Sequence, residues 1–424
     1  MEEELSSFME SGVYRLSGLN AIFIEPVRVL NASYTRFRVS TSMYYRRSFK
    51  SDQTGSVARV RVSPDPKEGK NNNKKKKRKR GSHILNEREK SAENRHLEVK
   101  SLLMRAHEAC IGSSEVLSFL RELKGEVEKG LGAVYVDDEN SLIKVGNVWQ
   151  APLYEMLLRF RVDETDEEGE GRRVVLNGEG ARVTAFNNLI CNETSDDAEA
   201  EFLDRWYLLP KNCCFQMSDL AQIYNLIPDH SDLGFNLIVI DPPWENGSAR
   251  QKAMYPQLPN RYFLSLPVKQ LAHTEGALVA LWVTNKEKVL AFVEKELFPA
   301  WGITHVTNFY WLKVKFDGSL IGELDLFHHR PYERLLLGYI NVKGMDSGPH
   351  LAFKPPQANQ VIVSVPGDYS RKPPVGNLLL DHAPGPKPVK CIELFARELV
   401  AGWTSWGNEP LHFQELRYFM HKNA

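Results

Sequence analysis

The sequence predicts an α/β fold whose chemistry sits on a buried parallel sheet, with an α+β accessory region ahead of it. Three observations lead there. Phe235 to Ile240 (FNLIVI) and Val389 to Phe395 (VKCIELF) are predominantly apolar runs of strand length, as expected of strands covered on both faces. The first run is closed at once by Asp241, Pro242, Pro243 and Trp244, so the strand ends in a rigid loop. Open α/β sheets place their ligands at such strand ends.

From the N-terminus, Gly12 to Phe49 alternates apolar and polar residues between Pro and Gly punctuation, which predicts a few short strands within a segment 1–63. Its Tyr34, Arg36, Arg38, Tyr44, Tyr45, Arg46 and Arg47 suit base stacking and phosphate contact, although half-buried strands produce the same pattern. A linker at 64–83 carries seven consecutive cations, Lys74 to Arg80. Such a block cannot pack, and it reads as disordered, serving nuclear import or a sequence-independent hold on RNA. Within an accessory domain 84–204, Ile84 to Lys129 predicts two helices. Val99, Leu102, Leu103, Ala106 and Cys110 share one face, and Val116, Leu117, Leu120 and Leu123 share the next, as core-facing stripes do. The acidic stretch Asp163 to Gly171 has no assigned role. The final unit, 205–424, holds both apolar runs.

The loop after Ile240 has a definite chemistry. Each proline lacks an N–H, and Pro243 restricts Pro242 to extended backbone, so the loop presents carbonyl oxygens in fixed directions with few competing donors. A carboxylate, a fixed carbonyl and an indole face suit a planar base bearing an exocyclic amine: its two N–H groups bond to Asp241 and the Pro242 carbonyl while Trp244 stacks on the ring. Adenine N6 fits this description. Its lone pair is delocalised into the ring, and two acceptors on its hydrogens favour a pyramidal nitrogen able to attack a methyl group. Asp-Pro-Pro is also ordinary turn vocabulary, but such turns rarely follow a buried strand and end in Trp.

Around this loop the chain resembles the N6-adenine methyltransferases typified by the catalytic subunit of the messenger-RNA adenosine methyltransferase. The resemblance covers roughly the half from Trp206 onward. It rests on ordered blocks: SDL at 218–220, VIDPPW at 239–244, LWVTN at 281–285, RPYE at 330–333, RKPP at 371–374, IELFAR at 392–397 and WTSWGNE at 403–409. It implies a Rossmann-like S-adenosylmethionine-dependent methyltransferase sheet with circularly permuted motif order, because the substrate strand precedes the cofactor strand.

The resemblance also implies site roles. Asp219 and Leu220 would meet the cofactor adenine, Asp241 the methionine amino group, and Lys372 and Glu393 the methionine end. Phe395, Arg397, Asn408 and Glu409 would line the ribose and adenine. On the substrate side it brings Trp244, Tyr255 and Glu333, and the basic segment Glu245 to Tyr262 adds Arg250 and Arg261 as phosphate contacts. Asp241, Pro242, Pro243 and Trp244 form the catalytic set. Two departures from the family stand out: Ala396 replaces a frequent Gly, and the stretch from Arg397 to Trp403 is short and has no His or Asn. The implied substrate is RNA, in particular a small nuclear RNA carrying 2′-O-methyladenosine. DNA adenine, a catalytically silent RNA-binding partner subunit and a protein amide remain the rival readings.

Composition sets outer limits. The 54 basic and 54 acidic residues cancel, so affinity for nucleic acid has to come from local patches. Five cysteines without a C-x-x-C pattern argue for a reducing compartment and against a disulfide framework or zinc finger. His328 and His329 lack metal-spaced partners, so no metal is expected. No run reaches membrane-spanning length, and the opening residues lack a signal-peptide pattern, so a soluble, nuclear protein is expected. No G-x-G-x-x-G or G-x-x-x-x-G-K-[ST] fingerprint follows a strand, which disfavours dinucleotide and triphosphate enzymes. No obligate protein partner is implied.

Overall fold

The computed structural model describes residues 2–46, 86–130, 157–161, 173–175, 179–202, 205–230, 233–245, 258–326, 329–342, 353–368 and 371–422. The basic tract Lys74 to Arg80, the acidic stretch Asp163 to Gly171, and Arg250, Tyr255 and His328 lie outside the described residues.

The strands in chain order are β1 (Val13–Arg15), β2 (Ala21–Ile24), β3 (Phe37–Val39), β4 (Leu157–Arg161), β5 (Arg173–Val175), β6 (Glu179–Thr184), β7 (Leu189–Asn192), β8 (Ala198–Phe202) and β9 (Arg205–Leu209). There follow β10 (Cys213–Met217), β11 (Leu237–Ile240), β12 (Ala277–Val283), β13 (Thr304–Lys313), β14 (Tyr332–Ile340), β15 (Gln360–Ser364), β16 (Cys391–Leu394), β17 (Trp403–Gly407) and β18 (Phe419–His421). Twelve of them form one sheet, β1-β2-β15-β13-β14-β12-β11-β16-β17-β10-β7-β5. A four-stranded antiparallel sheet, β6-β4-β8-β9, and the pair β3-β18 complete the set.

The centre of the large sheet, β12-β11-β16-β17-β10, is parallel throughout. The two apolar runs are neighbours there, with Ile240 opposite Leu394. Their continuous hydrophobicity is explained by cover on both faces. On one face Ile238, Ile240, Leu281, Leu394 and Trp406 pack with Val289, Leu297 and Trp301 from the helical segment that follows β12. On the other, Val239, Leu278, Trp282 and Trp311 pack with Val375 and Leu379. From β11 the chain passes to β12 on one side, whereas from β16 it passes to β17 on the other. Loops leaving two adjacent parallel strands in opposite directions open a crevice between them, and ligands of open α/β sheets bind in such crevices. The order is the permuted one: the strand ending in Asp-Pro-Pro-Trp comes first in the chain, and its neighbour β16 comes much later.

Segments ahead of residue 205 are built into this sheet at both ends. β2 runs parallel to β15, and β7 runs antiparallel to β10. Boundaries at 63 and 204 therefore divide strands that hydrogen-bond within one sheet. The helices Glu87–Gly112 and Ser114–Gly130 fall where the apolar stripes place them, with Asn86 and Glu89 forming a capping box. Val99, Leu103, Ala106, Cys110, Val116, Leu120 and Leu123 enter one core with Phe8, Tyr44 and Val363.

Two expectations are corrected. The N-terminal aromatics do not form a stacking surface: Tyr34, Tyr44 and Tyr45 are at most 4 % exposed. The Tyr45 hydroxyl donates to buried Glu25, and Tyr34 is bonded to Gln414. Half-buried strands and core aromatics share the same sequence look. The second correction concerns cysteine. Cys191 of β7 and Cys214 of β10 are directly opposite, with Cα atoms 4.1 Å apart, and form a disulfide. Cys110, Cys213 and Cys391 are free and buried. Strand register, which sequence spacing does not reveal, made this pair.

Candidate active site

Each strand end at the crevice delivers part of the site. After β10, Ser218 accepts the indole N–H of Trp406 at 2.8 Å. The next residue, Asp219, caps the turn Leu220–Leu226, its Oδ1 accepting from the N–H groups of Ala221 and Gln222 at 3.0 and 3.2 Å. After β16, Phe395 takes φ 62°, a left-handed conformation that non-glycine residues rarely adopt and that gathers at functional sites. Two neighbours hold it there. Ala396 donates its N–H to the Trp406 carbonyl at 2.9 Å. Gly407 gives the turn room, since a Cβ there would lie 3.2 Å from the Ala396 carbonyl oxygen.

The crevice is a cavity of about 370 Å³. Of the residues assigned to the cofactor, Asp219, Leu220, Asp241, Lys372, Phe395, Arg397, Asn408 and Glu409 all line it. Pro242, Pro243, Trp244 and Glu333 line it as well. Glu393 lies in an adjoining cavity of about 170 Å³ that shares Asp241, Lys372, Phe395 and Arg397, and is lined on another side by Val29, Leu30, Ala32 and Ser33 of the N-terminal segment. Arg261 is not brought in: it is exposed and paired with Glu296 at 3.1 Å. Trp282, Val283 and Thr284 also line the main cavity. The LWVTN block marks their strand, but nothing in the sequence says which of its residues reach the crevice.

A chain of alternating charges crosses the cavity wall. Lys372 Nζ lies 3.0 and 3.2 Å from the two Asp241 oxygens and 3.4 Å from Glu333 Oε2. Lys313 contacts the other Glu333 oxygen, and Arg397 approaches Asp241 at 4.0 Å. Burial alone would push Glu333 up, but Lys313 and Lys372 outweigh it and lower its carboxyl to about 2. Burial works against the charge on Lys372 too, and Asp241 and Glu333 raise it above the ordinary lysine value. Glu333 belongs to strand β14, opposite Trp311.

Lys372 is aimed by its neighbour. Arg371 is buried between the rings of Tyr44 and Phe413, each 4.2 Å away, and its guanidinium forks onto Glu398, with Nε 3.1 Å from both oxygens. Planar stacking and a two-point carboxylate contact suit Arg and not Lys. A solvated basic loop would show neither feature.

Trp244 differs from expectation. Its ring is 4 % exposed, sits edge-on to Phe263 at 5.1 Å and donates its indole N–H to the Trp282 carbonyl at 2.8 Å. It forms the cavity wall as a core residue, so only a rim of the indole is available to a base. The Pro242 carbonyl, for its part, already accepts the Trp244 N–H at 2.8 Å, which leaves its second lone pair for a ligand.

Glu393 stands apart electrostatically. Burial, with Glu398 and Asp241 close by, raises it to about 8, so it is largely neutral at pH 7. Between about 4.5 and 8 the folded protein holds a proton that the unfolded chain releases, so this group makes stability fall as pH rises through that window. A cationic ligand beside it reverses the preference. Calorimetry at pH 7 in buffers of different ionisation enthalpy should show up to one more proton released when a sulfonium cofactor binds the wild type than when it binds Glu393→Gln. Equal proton release would show that Glu393 does not face the cation.

The donor set fits S-adenosylmethionine. Asp241 and Glu393 suit its ammonium and sulfonium, Lys372 its carboxylate, and Asp219, Asn408 and Glu409 its ribose and adenine edges. Comparison with known proteins agrees. Residues 235–409 match the MT-A70 family model. The chain is 37% identical over 238 residues, 55% of its length and 49% of the relative's, to mouse (Mus musculus) N(6)-adenine-specific methyltransferase METTL4. It is 35% identical over 234 residues, 53% of its length and 58% of the relative's, to the N6-methyladenosine RNA methyltransferase MTA1 of Pyricularia oryzae. To a DNA N6-methyl methyltransferase of Caenorhabditis elegans it is 33% identical over 220 residues, 51% of its length and 56% of the relative's. The chain thus spans about half the length of the relatives it matches. Across its permuted sheet and its Asp-Pro-Pro-Trp crevice the chain thus matches the MT-A70 family model and is similar to N6-adenine methyltransferases.

Proposed function

We propose that the protein methylates adenine N6 in RNA, using S-adenosylmethionine. The observation that carries this reading is the pairing of Asp241 and Pro242 on the wall of a mostly apolar cavity of about 370 Å³, beside the turn of β16. When bound, S-adenosylmethionine supplies an electrophilic methyl group. The residues do the rest by position. Asp241 and Pro242 accept the two N6 hydrogens, which localises the nitrogen lone pair, and the walls of Trp244, Trp282 and Phe395 exclude water from the reacting atoms. No covalent step on the protein is required, so orientation and preorganised charge provide the acceleration.

The name of the Pyricularia relative supports RNA, whereas that of the Caenorhabditis relative supports the same chemistry on DNA. An extruded base is alike in both, so the choice rests on the sugar and the flanking strand. We favour RNA on the resemblance to the messenger-RNA adenosine methyltransferase, in particular a small nuclear RNA with 2′-O-methyladenosine as target. The cationic tract Lys74 to Arg80 suits nuclear import. Incubation with labelled S-adenosylmethionine and matched RNA and DNA oligonucleotides, with and without a 2′-O-methyl on the target adenosine, tests all of this. Label at N6 of RNA, greatest with the 2′-O-methyl, is expected. Label in DNA alone would move the assignment to DNA, and absence of label in every oligonucleotide would overturn it.

A further inference from the structure

We propose that Lys313, which does not line the cavity, is a positioning residue for methyl transfer: it holds Glu333 and thereby keeps Lys372 on Asp241. The inference rests on the adenine-methylation reading and deepens it. Lys372 stands between two carboxylates, 3.0 and 3.2 Å from Asp241 but only 3.4 Å from Glu333. With so small a difference, the competition is decided by what else neutralises Glu333. Lys313 does that from the far side, contacting Oε1 while Lys372 faces Oε2.

Lys313 is well fixed for the task. It ends strand β13, its N–H donates to the Pro331 carbonyl at 2.8 Å, and its ammonium lies 4.3 Å over the Trp311 ring. Trp311 is itself the residue opposite Glu333 in the β13-β14 register. The charged groups facing Glu333 are Lys313 from β13 and Lys372 from the segment before Pro373. Asp241 and Arg397 stand behind Lys372, and Glu393 lies beyond Asp241. Without Lys313, Glu333 would be a buried carboxylate with Lys372 as its near cation. It would then draw Lys372 away from Asp241 or take up a proton, because an uncompensated buried charge is costly. Either result disturbs the acid that orients the amine.

The test compares Lys313→Met and Lys313→Arg with the wild type, each also in a Glu333→Gln background, by turnover across the acid range and by thermal melting. Lys313→Met is expected to lower kcat about tenfold and to move the acid limb of the pH profile up by about one unit or more, as Glu333 begins to titrate within the assay range. Lys313→Arg should restore both. In the Glu333→Gln background the Met substitution should change turnover less than about twofold, since the group it acts through is gone. That double variant leaves no unpaired charge behind and should fold even if Lys313→Met alone does not. An acid limb that stays in place in Lys313→Met, or an equal loss of kcat in both backgrounds, would make Lys313 a purely structural residue. A wild type that labels no adenine would overturn the reading beneath the inference, and active wild type with an indifferent Lys313→Met would overturn the inference alone.

Discussion

Replacing Asp241 by Ala should lower the rate of methyl transfer by about two to three decades, the usual cost of removing one preorganised electrostatic contact, equivalent to roughly 2.7–4 kcal/mol in the barrier. The fold should survive. Asp241 lies at the end of β11, outside the packed layers, and its partner Lys372 keeps Glu333 as a counter-charge. Asn is the sharper comparison, because it retains one carbonyl acceptor while placing an amide N–H toward Lys372 and Arg397. Asn should therefore recover little of the loss. Single-turnover rates with saturating RNA and cofactor measure the effect, and thermal melting confirms that each variant is folded. Near-native turnover by Asp241→Ala would remove the acceptor platform from the mechanism.

Replacing Trp244 by Ala should act first on stability. Truncating a buried Trp typically costs about 3–5 kcal/mol, from lost transfer energy and the cavity left behind. Trp244 also satisfies the Trp282 carbonyl and packs against Phe263, so its loss leaves a buried acceptor unpaired and loosens the wall shared with β12. A lower denaturation midpoint together with weaker binding of both cofactor and RNA is expected. Phe at this position should recover most of the packing without the hydrogen bond. If denaturation is unchanged and RNA binding alone weakens, the ring is a stacking platform and the core role assigned here is wrong.

These two residues show what the sequence makes legible. Buried parallel strands read as mostly apolar runs, so β11 and β16 are visible at once, and an acid followed by two prolines after such a run marks a ligand-bearing loop. The ordered blocks carried the same reading onto Lys372, Glu393 and Arg397. Features that depend on register or on distant packing were not visible. The contact of Lys313 with Glu333 is set by the alignment of β13 with β14, the Cys191–Cys214 pair by that of β7 with β10, and the burial of Tyr44 by Arg371, hundreds of residues away. Local pattern cannot separate an aromatic that greets a base from one that lies under a guanidinium. Trp244 shows the same limit: its place in the motif is plain, but the neighbour that takes its N–H belongs to another strand.

The pairing of β2 with β15 has a consequence for biosynthesis. Asn20, just before β2, bonds to the carbonyl of Ala358, 338 residues away. At elongation rates of roughly 5–20 residues per second, the first strands wait roughly 20–70 seconds for their partner to be made. During that time Ile22, Phe23 and Ile24, all buried in the finished protein, have only β1 to pair with. A strand made late therefore recruits one made early, and over that interval the segment around β2 has to be shielded from aggregation.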